Sequence, residues 1–249
     1  MKNVYLSVVI PAYNEEYNLR TGVLDLVSDY LKKQKYSWEV LFVDDGSSDA
    51  TAKIADDFSK NHKNFFVLKE PHRGKGGTVI AGMLRAKGDV ILFTDTDQAT
   101  PIDQVEKFLP KFEEGYDIVI GSRSGRKGAP LLRKLMAYGF AFLRTIIWRL
   151  PYKDTQCGFK AFRNEASREI FKRMKVFSEK GQGKGAGVTA GFDLEVLYLA
   201  RKLKYKVAEV PVTWNHKESE RINAIRDSWE GLRDLLRVRI NALQGKYKV

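Results

Sequence analysis

Apolar residues in the first half of the chain form short continuous runs, and these runs alternate with segments of helical spacing. The predicted strands are residues 6–12, 38–45, 64–68, 89–95 and 116–122. The predicted helices are residues 17–33, 49–58, 77–86 and 102–112. Runs of Val, Ile and Leu without polar alternation are typical of strands buried on both faces. The pattern therefore predicts an α/β fold, Rossmann-like, with a mainly parallel sheet and helices on both faces.

The second half of the chain has a different pattern, dominated by amphipathic helices. Residues 131–150 form an apolar helical stretch that carries four basic and no acidic residues. Residues 177–190 include four glycines and predict a loop. The remaining predicted elements are helices at 164–175, 192–203 and 222–243, the last of them amphipathic, and a strand at 206–214.

Composition narrows the class of protein. The chain has 249 residues, 43% of them hydrophobic, which excludes global disorder. Its net charge of +12 is polarised, because residues 1–122 hold 15 basic and 19 acidic residues and residues 123–249 hold 28 and 12. The charge of the second half suits anionic partners. A nucleic-acid binder is not expected, because it would not explain the paired carboxylates described below.

Cysteine content and hydropathy bear on the compartment. The single cysteine, Cys157, cannot form an internal disulfide, and this count fits a reducing, cytoplasmic compartment. No segment reaches the roughly 18 uncharged apolar residues of a membrane-spanning helix. The apolar run near the N-terminus ends at Pro11 and is interpreted as a buried strand, not as a signal peptide.

Two adjacent carboxylates, Asp44 and Asp45, follow the second predicted strand in the sequence VDDGSSD (43–49). One interpretation is a helix cap, which explains Ser47 to Asp49 but not a second carboxylate at the sheet edge. The other is hydrogen bonding to the base or ribose of a nucleotide. Ligands of open α/β sheets bind beyond the carboxyl ends of the strands, which favours the second interpretation.

Asp95 and Asp97 alternate directly after the fourth predicted strand, in TDTDQATP (94–101). Residues two apart in extended backbone point to the same side, so the two carboxylates repel each other unless a cation lies between them. Oxygen ligands suit Mg²⁺ or Mn²⁺, which keep water and substrate phosphates as further ligands. The alternative is a solvated turn before a helix that begins near Pro101.

A third motif, HRGKGGT (72–78), opens a predicted helix. It matches neither G-x-x-x-x-G-K-[ST] nor G-x-G-x-x-G. Arg73 and Lys75 ahead of a helix N-terminus suit a diphosphate. The alternative is a plain transition from loop to helix.

The order and spacing of seven segments resemble the inverting family 2 glycosyltransferases, which have the GT-A fold. These segments are VVIPAYNEE, VDDGSSD, RGKGG, the Asp-x-Asp pair, GSR at 121–123, DTQCGFKAF at 154–162 and GFDLEVL at 191–197. Within that family the chain is similar to the polyprenyl-phosphate glycosyltransferases, which include dolichyl-phosphate glucosyltransferases and mannose synthases. DTQCGFKAF, with EVPVTW downstream, is closer to the glucosyltransferase branch.

The resemblance implies roles for individual residues. The implied nucleotide pocket consists of Pro11, Tyr13, Glu15 and Asp44, with Asp45 beside them and Asp95 at the ribose or the metal. Lys75 of the third motif is added to this set of nucleotide-binding candidates. The implied metal ligands are Asp97 and Asp95, with Gln98 as a third candidate. Arg123 matches a phosphate-binding arginine, and Asp154 matches a carboxylate with a metal or base role.

The resemblance also implies an organisation of the chain. Residues 1–220 are expected to be the catalytic domain, with a nucleotide-binding half at 1–122 and an acceptor-binding half at 123–220. Residues 221–249 are expected to be a C-terminal amphipathic helix and tail. The implied reaction is metal-dependent, inverting transfer of a hexose to a polyprenyl or dolichyl phosphate, with UDP-glucose favoured and GDP-mannose possible as donor.

An anionic acceptor needs cations that orient it and little general base. Candidates for the acceptor phosphate or for anionic lipid are Arg126, Lys127, Arg133 and Arg144. The helices at 131–150 and 222–243 either contact an anionic membrane surface or pack on the core. We expect peripheral attachment to the cytoplasmic face of a membrane. A hydroxyl acceptor is the rival, and it would need a base, with Asp154, Asp193 and Glu195 as candidates.

Overall fold

The computed structural model describes residues 3–123, 150–175, 190–215 and 224–247. Strands in this part of the chain form one sheet with the order β3-β2-β1-β4-β6-β5-β7. The strands are β1 (Leu6–Ala12), β2 (Trp38–Asp44), β3 (Phe65–Lys69), β4 (Val90–Thr94), β5 (Ile118–Arg123), β6 (Phe159–Arg163) and β7 (Val207–Val212). The predicted α/β class is confirmed.

Helices connect most of these strands. They are α1 (Glu16–Arg20), α2 (Val23–Lys32), α3 (Thr51–Lys60), α4 (Gly74–Arg85), a 3₁₀ helix (Ile102–Lys107), α5 (Leu109–Glu113), α6 (Asn164–Arg173), α7 (Ala190–Lys202) and α8 (Ala224–Leu243). No helix within the described ranges is both long and apolar enough to cross a membrane. The predictions for residues 131–149 and 177–189 lie outside those ranges.

The order in which the chain adds strands to the sheet reverses at β1. β1 pairs in parallel with β2 on one side and with β4 on the other. The chain therefore builds outward through β2 and β3 and then returns to the opposite side of β1. Such a switch point opens a crevice beyond the carboxyl ends of β1 and β4, where open α/β sheets bind ligands.

The strand β6 was missed in the prediction from the sequence. It runs antiparallel to both β4 and β5, whereas β5 and β7 are parallel to each other. The run FKAF is interrupted by Lys160, which hides its strand character. Phe159 and Phe162 nevertheless lie on opposite faces of the sheet, and both are fully buried.

Three predicted helices differ from the observed ones. The helix predicted over 17–33 is divided into α1 and α2, because Gly22 adopts φ +82°, a left-handed conformation that ends the first helix. The helix predicted over 102–112 is a 3₁₀ helix followed by the short α5. The helix predicted from residue 77 begins at Gly74, which carries the first turn of α4 toward the carboxyl end of β4.

The core lies on both faces of the sheet. On one face the buried residues come mainly from α2, the 3₁₀ helix and α5, and on the other mainly from α4, α6 and α7. The helix α8 packs on α7, with Val238 fully buried. This two-sided packing fixes the strand ends that carry the candidate site.

Candidate active site

The segment after β1 is held by the segment after β2. Three backbone N–H groups donate to side chains of the latter: Asn14 to Ser47 Oγ at 2.9 Å, Glu15 to Thr51 Oγ1 at 2.7 Å and Glu16 to Asp49 Oδ2 at 3.2 Å. Asn14 adopts φ 52°, a left-handed conformation that asparagine tolerates. The polar residues of VDDGSSD therefore fix the path of the chain that carries Tyr13 and Glu15.

The capping interpretation of the same motif is correct for Asp49. Its Oδ1 accepts from the Thr51 backbone N–H at 2.9 Å, in the first turn of α3. Burial works to raise the pKa of Asp49, but the hydrogen bonds from Thr51 and Glu16 lower that pKa below its ordinary value. Capping accounts for this carboxylate and leaves Asp44 and Asp45 to be explained.

Asp45 holds the start of α4. Its carboxylate accepts from the backbone N–H groups of Arg73 at 2.8 Å and Gly74 at 2.9 Å, and from His72 Nδ1 at 2.9 Å. An anionic group at a helix N-terminus is favourable because it meets unpaired N–H groups and the positive end of the helix dipole. Asp45 therefore positions the predicted nucleotide-binding residue Lys75 through the backbone of α4.

Asp44 is left with an unpaired oxygen. The residue is 3% exposed, and its Oδ2 accepts from the Ser47 backbone N–H at 3.3 Å. Its Oδ1 is buried and has no hydrogen-bond partner among the described residues. A buried unpaired acceptor costs about 1–3 kcal/mol, so an N–H or O–H group of a ligand is the physical explanation that fits. Of the adjacent carboxylates, Asp44 is the one with an unpaired oxygen among the described residues.

His72 and Tyr13 form a stacked pair beside Asp44 and Asp45. Their ring centroids lie 4.1 Å apart with an interplanar angle of 21°. The Nδ1 of His72 carries a proton, because it faces the acceptor oxygen of Asp45. Its Nε2 is buried without a hydrogen-bond partner in the part of the chain that the structure describes. Sequence reasoning missed His72 as a site residue.

The loop after β4 carries Asp95 and Asp97 and is anchored to β1. The Oγ1 of Thr96, the residue between them, donates to the Pro11 carbonyl at 2.7 Å. Asp97 Oδ1 accepts from the Ala99 backbone N–H at 2.9 Å. This anchoring places both carboxylates beyond the carboxyl ends of β1 and β4, at the switch point.

Gln98 turns its side chain back under that loop. Its backbone has φ 50°, and its Nε2 donates to the Asp95 carbonyl at 3.0 Å. Its Oε1 is buried without a partner among the described residues. The role of Gln98 as a metal ligand stays a prediction, and its free acceptor is the carbonyl oxygen that such a role would use.

Lys75 reaches the Asp-x-Asp pair. Its Nζ lies 2.6 Å from Asp95 Oδ1. Burial works to lower the pKa of Lys75, but the Asp95 carboxylate outweighs it and raises that pKa, so the ammonium is charged. Arg73 instead directs its guanidinium toward Glu70, with 3.6 Å between Nη2 and Oε2. Of the two basic residues in HRGKGG, Lys75 is therefore the one at the predicted diphosphate position.

Gly158, just before β6, leaves the space that the Asp95 carboxylate occupies. A Cβ atom at residue 158 would overlap the carboxylate of Asp95. Any side chain there would displace Asp95, so the glycine of DTQCGFKAF is required by a close approach between the two motifs. Cys157 beside it is fully buried.

Lys160 is a buried cation that sequence reasoning missed. Its side chain is fully buried on β6, and its Nζ lies 2.6 Å from Asp193 Oδ1. It also donates to the Cys157 carbonyl and lies 5.4 Å from the centre of the Phe93 ring. Burial raises the pKa of Asp193, although Lys160 acts in the opposite direction. The signal in the sequence was a lysine within an otherwise apolar run.

Asp193 and Glu195, two candidate bases, face different parts of the molecule. Glu195 Oε1 accepts from Tyr247 Oη and from the Lys175 backbone N–H, both at 2.7 Å. Residues two apart on a helix point in nearly opposite directions, so only one of the pair faces the sheet edge. The contacts of Asp193 with Lys160 place it toward the site.

Arg123 and Asp154 form a bidentate ion pair. Arg123 Nε and Nη2 donate to Asp154 Oδ2 and Oδ1 at 2.6 and 2.9 Å. The pair lies near Trp214, whose ring centre is 5.8 Å from the guanidinium carbon. Burial works to raise the pKa of Asp154, but Arg123 outweighs it and lowers that pKa to about 2. A carboxylate held in this way is a weak base.

Glu209 on β7 holds the segment that carries Asp154. Its carboxylate accepts from the backbone N–H groups of Asp154 at 2.7 Å and Lys153 at 3.0 Å. Glu209 of β7 therefore helps to fix the position of the Arg123–Asp154 ion pair. Four predicted residues at the acceptor or membrane lie outside the described ranges: Arg126, Lys127, Arg133 and Arg144.

The donor set at the switch point fits a hard divalent cation only in part. Within the described residues no group of three or more His, Cys, Asp or Glu side chains is placed to hold a metal ion. Asp95 and Asp97 supply oxygen ligands, which Mg²⁺ and Mn²⁺ accept. The remaining ligands would have to come from water and substrate phosphate, as is usual for Mg²⁺.

Solved structures share this architecture. Mannosyl-3-phosphoglycerate synthase from Rubrobacter xylanophilus superposes with a TM-score of 0.67 at 17% identity, covering 99% of this chain and 76% of that one. Glucosyl-3-phosphoglycerate synthase from Mycobacterium tuberculosis, solved in complex with Mn²⁺, UDP and glucosyl-3-phosphoglycerate, gives 0.60 at 18%, covering 94% and 80%. The fold is the GT-A fold.

Sequence comparison gives the family. The family model for glycosyl transferase family 2 matches residues 7–171. A dolichyl-phosphate beta-glucosyltransferase from Dictyostelium discoideum is 36% identical over 99% of this chain and 77% of its own length. The chain therefore belongs to glycosyl transferase family 2 and is a glycosyltransferase, as its motifs predicted.

The Arg123–Asp154 pair generates a prediction on stability. Replacing Asp154 by Asn leaves a buried guanidinium without its counter-ion, and we expect the free energy of unfolding at pH 7 to fall by about 2–3 kcal/mol. Because the folded pKa is depressed, this contribution is complete above the unfolded pKa of about 4. It disappears as the pH falls toward 2. Urea denaturation across this range measures it.

Asp57→Asn is the matched control. Asp57 is exposed and pairs with Lys60 at 2.7 Å on the surface, so its loss should leave the free energy of unfolding close to that of the wild type. An Asp154→Asn variant as stable as this control at pH 7 would contradict the described role of the ion pair.

Proposed function

We propose that this protein is a metal-dependent, inverting dolichyl-phosphate β-glucosyltransferase that takes glucose from UDP-glucose. The observation that carries the proposal is the near full-length similarity to proteins named for that activity. The chemistry of the switch point supports it. A carboxylate with an unpaired oxygen, an Asp-x-Asp pair and a lysine converge there.

The donor is proposed to lie across the carboxyl ends of β1, β2 and β4. The nucleoside meets the Asp44 Oδ1 acceptor and the Tyr13–His72 ring pair, next to Pro11 and Glu15. Uracil N3–H and the ribose hydroxyls are donors that suit unpaired acceptors. Asp45 contributes indirectly, because it holds the N-terminus of α4.

The diphosphate is proposed to meet Lys75 and a cation at the Asp-x-Asp pair. Asp95 and Asp97 would hold Mg²⁺ or Mn²⁺, with Gln98 as a further candidate ligand. The cation, when bound, supplies charge neutralisation for the departing diphosphate. Lys75 supplies a fixed positive charge on the same group.

The acceptor phosphate is proposed to approach from the side of β5 and β6. One of its oxygens attacks the anomeric carbon while the bond from that carbon to the β-phosphate oxygen breaks, and the electron pair leaves with UDP. One displacement inverts the anomeric centre. A phosphate near neutral pH is already anionic and needs little proton abstraction. Arg123 is the described cation placed to orient it, and Asp154 holds Arg123 in place.

The reaction divides the chain into halves. Residues 1–122 carry the proposed nucleotide-binding groups, and residues 123–220 the proposed acceptor-binding groups. The predicted acceptor residues Arg126, Lys127, Arg133 and Arg144 belong to the second half. Residues 221–249 would then form a peripheral attachment to the cytoplasmic face of a membrane.

The outer face of α8 supports that attachment. Leu236, Ile240 and Leu243 are 48%, 50% and 73% exposed, whereas Val238 is fully buried against the domain. At 100° per residue, the three exposed residues fall within a stripe about 60° wide, opposite Val238. This helix therefore has an apolar side for the core and a second apolar side that faces outward.

Arginines border the exposed stripe. Going around the helix, Arg233 and Arg237 lie next to one edge of the stripe, and Arg239 lies next to the other edge. An apolar stripe between basic residues suits the interface of an anionic membrane, where apolar side chains enter the headgroup boundary and arginines meet lipid phosphate. We propose that the partner of this exposed stripe is a bilayer that contains anionic lipid.

One observation favours a second candidate function, transfer to a hydroxyl acceptor. Such an acceptor needs a general base, and burial raises the pKa of Asp193 above its ordinary value, the direction that makes a carboxylate a stronger base. Asp193 lies toward the site through its contact with Lys160. The acceptor assay below separates the two functions.

Activity tests the proposed function directly. With Mn²⁺ present, we expect the purified protein to transfer glucose from UDP-glucose to dolichyl phosphate in detergent, and EDTA to abolish transfer. Asp97→Asn should lower kcat/KM by about a hundredfold or more, since a direct ligand is lost. Asp103→Asn, an exposed carboxylate in the 3₁₀ helix, is the matched control and should retain activity.

Two results of that assay would contradict the proposal. Transfer to a water-soluble sugar hydroxyl but not to dolichyl phosphate would favour the second candidate function. Preference for GDP-mannose over UDP-glucose would contradict the proposed donor while leaving the metal and acceptor chemistry intact.

Vesicle binding tests the face of α8. The triple substitution Leu236→Ser, Ile240→Ser and Leu243→Ser removes exposed apolar side chains without touching the buried face. We expect it to lower cosedimentation with vesicles of phosphatidylcholine and phosphatidylserine about tenfold or more, since each buried side chain contributes roughly 1.5–3 kcal/mol. Leu26→Ser with Phe66→Ser, two exposed residues elsewhere, is the control. Equal binding by all variants would contradict this surface.

A further inference from the structure

Lys75 lies where a divalent cation bound to the Asp-x-Asp pair would act. Its Nζ is 2.6 Å from Asp95 Oδ1, and both side chains are just over one third exposed. The charges of Asp193 and Asp97 also act on its ammonium. Lys75 therefore contacts Asp95 at the end of β4 and lies within electrostatic reach of two further carboxylates.

Two of these carboxylates have counter-ions within the protein. Asp193 pairs with Lys160, whose Nζ is 2.6 Å away on the buried side. Asp95 pairs with Lys75, whose ammonium is hydrogen-bonded to its Oδ1. A divalent cation held by Asp95 would therefore compete with an ammonium that already occupies one of its prospective ligand atoms.

We propose that Lys75 is an internal counter-ion that occupies the electrostatic place of the metal until a nucleotide diphosphate arrives. The inference rests on the proposed function, because it assumes that Asp95 and Asp97 hold a divalent cation. When the diphosphate enters, its oxygens supply the anionic partners that both cations need. Lys75 would then leave Asp95 for the diphosphate, which would free the Asp95 carboxylate oxygen to hold the cation.

The geometry allows this exchange without refolding. Lys75 is in the first turn of α4, and Asp45 holds the backbone of that turn through the N–H groups of Arg73 and Gly74. The backbone is fixed, whereas four rotatable bonds connect it to the ammonium. The lysine can move from Asp95 toward a ligand while the helix stays in place.

The consequence is coupling between metal and nucleotide. Mn²⁺ should bind weakly to the protein alone and much more tightly together with UDP. Binding free energies are reciprocal, so Mn²⁺ should strengthen UDP binding by the same factor. Removing the ammonium should abolish the competition and allow Mn²⁺ to bind without nucleotide.

The test measures the Kd of Mn²⁺ in the absence of nucleotide, from the electron paramagnetic resonance signal of free Mn²⁺. We expect Lys75→Met to bind Mn²⁺ about tenfold to a hundredfold more tightly than the wild type, since one positive charge within a few ångströms of the ligands is lost. Lys75→Arg keeps the charge and should stay weak. Lys53→Met, the same change at an exposed lysine of α3, should behave like the wild type.

Mn²⁺ binding by the wild-type protein with saturating UDP distinguishes a failure of this inference from a failure of the proposed function. Tight Mn²⁺ binding there, with no gain in Lys75→Met alone, overturns the counter-ion role and leaves the metal site standing. An absence of Mn²⁺ binding by the wild type even with UDP overturns both. Thermal melting of each variant confirms that the folded protein is compared.

Discussion

Pairing of opposite charges at one end of the sheet holds the candidate site in its shape. Carboxylates gather beyond the strands β1, β2 and β4, and most of them have a partner of opposite charge or polarity. Lys75 meets Asp95, Lys160 meets Asp193 and Arg123 meets Asp154. The carboxylate of Asp45 accepts hydrogen bonds from two backbone N–H groups at the start of α4. Asp44 differs from these carboxylates, because one of its oxygens has no partner among the residues that the structure describes.

The reversed strand β6 makes this balance possible. Its insertion between β4 and β5 brings Lys160 under Asp193 and Gly158 against Asp95. A buried lysine is tolerated only when it is paired and hydrogen-bonded, and the Cys157 carbonyl together with Asp193 meets that need. A few residues at and before this strand therefore connect the proposed acceptor side of the site with the proposed donor side.

Much of the fold follows from hydrophobic pattern alone. The five apolar runs of the first half each became a strand, because runs buried on both faces leave little ambiguity. The strand β6 escaped because Lys160 interrupts its run, and its burial depends on Asp193, more than thirty residues away. The division between α1 and α2 depends on the left-handed conformation of Gly22, which spacing alone does not reveal. In the site, the sequence could place Asp44 and Asp45 at a strand end but could not tell which keeps an unpaired oxygen.

Binding of nucleotides shows directly whether this end of the sheet is a nucleotide site. Thermal unfolding should be followed with UDP, GDP, UDP-glucose and GDP-mannose, each with and without Mn²⁺. Ligands that bind the native state raise the melting temperature by mass action. We expect the uridine nucleotides to raise the melting temperature of the protein, and to raise it more with Mn²⁺ than without it. Stabilisation by guanosine nucleotides alone would contradict the proposed donor, and no stabilisation by any nucleotide would contradict a nucleotide site at this end of the sheet.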